Sequence, residues 1–187
     1  MGNRRKAREL ALQGLYALEF GTPRIHDVVR EMRRLAAEPP TEDEDLATLV
    51  RTDEGDALDF AERIVRGVAE HMGEIDALLA ECSTNWKVAR MAMVDRNILR
   101  LATYELRWVQ DIPPKVTLNE AIEIAKRYGT GDSGSFINGI LDRVAAVTRS
   151  PDAPRAPAPA PKVSKSKSRR QGPREPQATP GDPPKRS

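Results

Sequence analysis

The chain has 187 residues, 30 of them basic and 28 acidic, with 39% hydrophobic residues and one cysteine. That length admits one domain, or one domain with an extension, and Cys82 alone excludes an internal disulfide and a cysteine-based zinc site and suits a reducing cytoplasm. Behind its charges, the start Met1-Gly2-Asn3-Arg4-Arg5 has no apolar core, and no run reaches the roughly 18 apolar residues that cross a bilayer, so neither a secretory signal nor membrane association is expected.

Every strong period in the chain is helical. Ala7, Leu10, Ala11, Gly14, Leu15 and Leu18 recur at the spacing of one buried helix stripe. Ahead of it, Arg4, Arg5, Lys6 and Arg8 form a cationic start with no acid among them, the pattern that neutralises phosphates. On a helical wheel Arg5, Leu12 and Tyr16 fall opposite the stripe. Two large apolar groups there are either a contact surface for a protein partner, scattered surface residues, or residues buried under another helix.

Pro23 opens a second helix carrying Ile25, Val28, Val29, Met32 and Leu35, which Pro39-Pro40 ends. The acidic run 41–45 is a loop or a helix start. A third helix is expected from Asp56 to Met72, broken by Gly73, and a short one from Glu74 to Glu81. Ser83, Thr84 and Asn85 can each cap the next helix.

Residues 94–109 are apolar around most of the circumference, with a polar strip of Arg96, Arg100, Thr103 and Arg107, as in the central helix of a bundle. Glu105 falls in the apolar arc, where a carboxylate needs a partner. A structural ion pair with a basic residue of another helix is the expectation. Thr117-Leu118-Asn119-Glu120 has capping-box spacing, Gly129 has the position of a helix C-cap, and the last helix is expected over Ser135 to Val147, with Phe136, Ile140, Leu141, Val144 and Val147 inward. The sum is an all-α bundle of about seven helices.

Two motifs in the connection before that helix carry false chemistry. Gly129-Thr130-Gly131-Asp132-Ser133-Gly134 matches the dinucleotide fingerprint literally but follows a helix, not a strand. Gly131-Asp132-Ser133-Gly134 resembles a serine-protease nucleophile loop, yet His26 and His71, the only histidines, lie in helical segments. No cofactor, metal or catalytic residue is expected. The loop is a glycine-rich connection in which Asp132 or Ser133 caps the last helix. The same geometry lets free N–H groups meet an RNA phosphate or base edge.

Beyond residue 150 the composition changes. Residues 151–187 hold ten of the fifteen prolines, nine basic and three acidic residues, a net of +6, which leaves 21 basic and 25 acidic residues, a net of −4, in 1–150. Such a tail has too little apolar surface to offset the entropy of folding and is expected to be disordered. It is either a basic arm adding non-specific RNA affinity or a solubilising extension. The expected organisation is a helical domain over 1–150 and a disordered tail over 151–187.

Four blocks carry a resemblance: Arg5 to Tyr16, Asp95 to Leu106, Ile112 to Lys126 and Ser135 to Asp142. In this order they resemble the transcription antitermination factor NusB family, over residues 3 to about 148. The resemblance implies an all-helical RNA-binding fold without catalytic activity. It implies binding to the single-stranded boxA element of ribosomal RNA leader transcripts, as a heterodimer with the ribosomal protein NusE inside the RNA polymerase antitermination complex. Some relatives resemble homodimers, so a homodimer stays open. The residues implicated for RNA are Arg4, Arg5, Lys6 and Arg8, with Asp132, Ser133, Phe136 and Asn138 at the loop; Phe136 can stack on RNA or only pack in the core. For the protein partner they are Leu12, Tyr16 and Asp95. The alternative is the NusB-like RNA-binding part of a ribosomal RNA cytosine methyltransferase.

Overall fold

In the computed structural model, residues 2–20, 24–37, 54–84 and 86–148 are described. Among them stand seven α-helices, a short 3-10 turn and no strand: α1 Gly2–Glu19, α2 Ile25–Ala37, α3 Glu54–Glu70, α4 Met72–Cys82, the turn Val88–Arg90, α5 Met93–Trp108, α6 Pro114–Tyr128 and α7 Ser133–Thr148. The expectations for Pro23, the prolines at 39 and 40, the acidic run, Asn85 and the tail fall outside the described residues, as does the side chain of Leu35.

The fold is all-α, and α5 is its axis. It packs against α1, α3, α4, α6 and α7, and residues Asn97 to Glu105 are all buried. The polar strip expected on α5 is turned largely inward. Arg100 reaches Asp76 of α4 at 2.7 Å and Glu19 of α1 at 2.6 Å, while Arg96 reaches Glu19 at 3.0 Å. Charged groups survive at a helix interface because each meets an opposite charge with good hydrogen-bond geometry.

α1 also buries a wider arc than its stripe. Ala7, Ala11, Gly14 and Leu15 are buried as expected, but so are Arg8, Glu9 and Leu12. The reason is its position: α1 packs on α2, α3 and α5 together. Gly14 permits this approach, since a Cβ there would lie 2.8 Å from Met32 Sδ. Likewise, a Cβ on Gly67 of α3 would lie 2.0 Å from the Tyr104 ring of α5. A glycine in mid-helix costs backbone entropy; here it lets a tyrosine lie against bare backbone.

Several boundaries shift. The break between α3 and α4 falls at His71, not Gly73, and the ring of His71 stacks on Trp108 at 4.4 Å. α6 begins at Pro114, a favoured first-turn position. Thr117 is therefore helical rather than a cap, and its hydroxyl serves Glu105 instead. α7 begins two residues early and is rotated, so Ile137 is buried and Val147 is exposed.

Candidate nucleic-acid interface

The N-terminal cations divide by depth. Arg8 donates from Nε to Glu105 Oε1 at 2.7 Å and from Nη2 to Oε2 at 2.9 Å, and Thr117 Oγ1 donates to Oε2 at 2.9 Å. Glu105 thus has the cross-helix ion pair expected of it. Arg8 is only 1% exposed, so the expectation that it contacts RNA phosphates is corrected. Its charge is spent inside the bundle, joining α1 to α5 and α6.

Arg5 is exposed but grips Glu120 of α6 in a two-point pair, at 2.8 and 2.9 Å. This hydrogen bond is the main cause holding the Glu120 carboxyl below its ordinary value and Arg5 above its own. Arg4 is exposed, its guanidinium 4.4 Å from the centre of the Phe60 ring. Half-buried Lys6 has no salt-bridge partner among the described residues. Among those residues, Arg4 and Lys6 are thus the cations of this group without a carboxylate partner.

A second tie sets the spacing to the loop. Arg127, near the end of α6, reaches Glu9 at 3.2 Å. Glu120 and Arg127 are seven residues apart, so the two ties to α1 lie about 10 Å apart along α6.

At the loop, Ser133 is buried, which corrects its reading as an exposed contact. Its Oγ accepts the Thr130 N–H at 2.8 Å. Gly129 has an ordinary φ of −92°; glycine is needed there because a Cβ would lie 2.5 Å from Ser133 Oγ. Asp132 is exposed, and its carbonyl accepts the N–H of Phe136 at 3.0 Å. Phe136 is half-buried, with its ring edge-on to Trp86 at 5.6 Å. Asn138 donates to Asp142 at 3.2 Å.

The partner residues also divide. Leu12 is buried and belongs to the core, which corrects its assignment to an exposed face: α1 is covered on that side too. Tyr16 is 41% exposed and packs on Phe20, itself 54% exposed, with ring centres 4.9 Å apart. Asp95 is buried, which corrects its reading as a partner contact, and among the described residues its Oδ1 has no hydrogen-bond partner. A carboxylate oxygen withdrawn from water without a donor is costly unless something supplies one. Sequence reading passed over Phe20 and Trp86, although both are large apolar residues beside charged or turn residues.

No group of His, Cys, Asp and Glu suited to a metal occurs among the described residues, and no described helix is long and apolar enough to cross a membrane. Fold and surface together define an all-helical protein with a basic helix start and a glycine-rich connection between its last two helices. Residues 5–146 match the NusB family profile, and the chain belongs to that family. The transcription antitermination protein NusB of Myxococcus xanthus is 42% identical over 151 residues, covering 81% of this chain and all of the relative. That of Trichlorobacter lovleyi is 47% identical, covering 78% and 92%. These relatives are antitermination proteins matched over nearly their whole length, and the chain is not an enzyme.

The solved structure of T. maritima NusB superposes with a TM-score of 0.58 at 39% identity, covering 81% of this chain and 93% of that one. A crystal structure of antitermination factors NusB and NusE in complex with dsRNA superposes at 0.63 with 23% identity, covering 78% and 98%. At that identity the likeness speaks for the fold.

Proposed function

We propose that the chain is a transcription antitermination factor that binds the boxA element of ribosomal RNA leader transcripts, pairs with NusE, and acts in the cytoplasm within the RNA polymerase antitermination complex. The observation that carries the reading is the basic start of α1. Arg4 and Lys6 have no carboxylate partner among the described residues, and Arg5 beside them holds one exchangeable carboxylate. They stand along α6 from a loop of small residues that leads into α7. A single strand is bound through phosphate neutralisation and contacts to splayed bases, and this surface offers cations at one end and a low-bulk loop at the other. Antitermination relatives and a structural neighbour solved with NusE and dsRNA support the coarser part of this reading, an antitermination factor that meets NusE and RNA.

The protein partner is assigned to the other exposed feature of α1, the Tyr16–Phe20 pair, while buried Asp95 lies outside that surface. Fluorescence anisotropy with boxA RNA against a scrambled sequence, with and without NusE, tests the assignment. Preference for boxA, strengthened by NusE, is the expected result. Equal binding of both sequences in both conditions would refute it.

A further inference from the structure

Trp86 is 57% exposed, more than any other large hydrophobic residue described. It is nonetheless held firmly. Its backbone N–H donates to the Ser83 carbonyl at 3.0 Å, and the Ser83 hydroxyl donates back to the Trp86 carbonyl at 3.0 Å. Ser83 itself is buried. The indole meets Phe136 nearly at right angles, with an interplanar angle of 79°. Lys87 and Arg90 beside it are exposed, and neither has a salt-bridge partner among the described residues.

The apolar surface here amounts to one ring. Thr84, Lys87, Ala89 and Arg90 around it are exposed small or charged residues, and the other exposed large hydrophobics lie on α1, α6 and the far end of α7. A protein hot spot wants a surrounding ring of contacts that excludes water. An unpaired base needs one π-face and cations for its flanking phosphates. The Tyr16–Phe20 pair is the contrast: Phe20 lines a pocket of about 360 Å³ shared by apolar Leu10, Ala17, Val28 and Met32 and by polar Gln13 and Glu31.

We propose that Trp86 is a stacking platform for one unpaired nucleobase of the bound RNA, with Lys87 and Arg90 taking the adjacent phosphates. The assignment rests on the proposed RNA-binding function and extends the RNA path from the Asp132 loop over Phe136 to the turn before α5. Preformed placement helps, because an indole already packed against Phe136 on a hydrogen-bonded turn loses little freedom when a base settles on it.

The chain has two tryptophans, and Trp108 is half-buried in a stack with His71 and Tyr104. In the full chain carrying Trp108→Phe, Trp86 becomes the sole reporter. Titration with a boxA-sequence single-stranded RNA should quench its emission saturably. Anisotropy should show that Trp86→Ala weakens binding roughly tenfold, that Trp86→Phe keeps most of the affinity, and that Lys87→Ala flattens the salt dependence. Full affinity without quenching, and without effect of Trp86→Ala, would overturn the proposal while leaving the RNA reading intact. Quenching by NusE alone would overturn it in favour of a protein contact. Absence of RNA binding even with NusE would overturn both readings. If Trp86→Ala lowers the melting temperature, the quenching and the Trp86→Phe variant still decide between platform and bystander.

Discussion

Arg8 shows how far one residue's role depends on a partner distant in sequence. Read along the chain it is the last of four cations. In space it faces Glu105, 97 positions away, and no local period encodes that pairing. Glu105 was the legible half, because a carboxylate in an apolar arc demands a partner wherever that partner lies. Arg8→Ala should therefore destabilise the fold by about 3–5 kcal/mol, since it leaves a buried carboxylate unpaired. Urea unfolding monitored by circular dichroism measures this; a loss below about 1 kcal/mol would mean that water enters and solvates Glu105. Arg5 is the converse, an exposed cation held by Glu120. Glu120→Gln should release it and tighten RNA binding several-fold at low salt, with a steeper salt dependence if Arg5 then takes a phosphate. Unchanged affinity and slope would mean that Arg5 stays out of the RNA path. The pH dependence has a definite sign. The folded carboxyl lies below its ordinary 4.5, so the pair's stabilisation is fully present above 4.5 and is lost as pH falls through the lowered folded value.

At the scale of elements, periodicity located all seven described helices because each buries a face at helical spacing. It erred where a helix has more than one buried face. α1 and α5 are enclosed by several neighbours, so Leu12, Arg100 and Thr103 lie inside despite positions that a single-stripe reading turns outward. The capping-box spacing at Thr117 misled for a related reason: its hydroxyl has a better use on Glu105 than on a helix end. What remains exposed on α1 is correspondingly meaningful. Tyr16 and Phe20 sit at its C-terminal end, away from the basic start, and a helix interior separates the two surfaces. Tyr16→Ala should cost about 2 kcal/mol or more in NusE binding by calorimetry, leave the melting temperature nearly unchanged, and leave RNA binding by the isolated chain intact. The affinity for RNA that NusE adds should fall. Unfolding of the variant, with partner binding preserved in the folded fraction, would make Tyr16 a packing residue instead.

At the scale of the whole molecule, charge is divided against the direction of the proposed function. Residues 1–150 carry a net charge of −4, and the +2 of the chain arises because residues 151–187 carry +6. An acidic body binds a polyanion only through a local patch, and composition cannot say where on the surface such a patch forms; Arg4, Lys6, Lys87 and Arg90, which have no carboxylate partner among the described residues, stand out only once the acids neutralising Arg5, Arg8 and Arg127 are placed. The long-range potential that steers an RNA toward the molecule belongs to the total charge, and there the tail decides the sign. Truncation after Ser150 should therefore reverse the attraction at low ionic strength. Association with an unrelated single-stranded RNA should slow and weaken several-fold, the difference vanishing above roughly 0.3 M salt as screening shortens the Debye length below about 6 Å. The discrimination between boxA and scrambled RNA should survive, because it is assigned to groups within 4–138. The melting temperature should stay constant, since the tail's composition offers almost no apolar surface to bury. Stopped-flow association rates across a salt series, with melting curves of both forms, decide the matter. A lowered melting temperature would show that the tail packs on the helical body, and an unchanged association rate would reduce it to a solubilising extension.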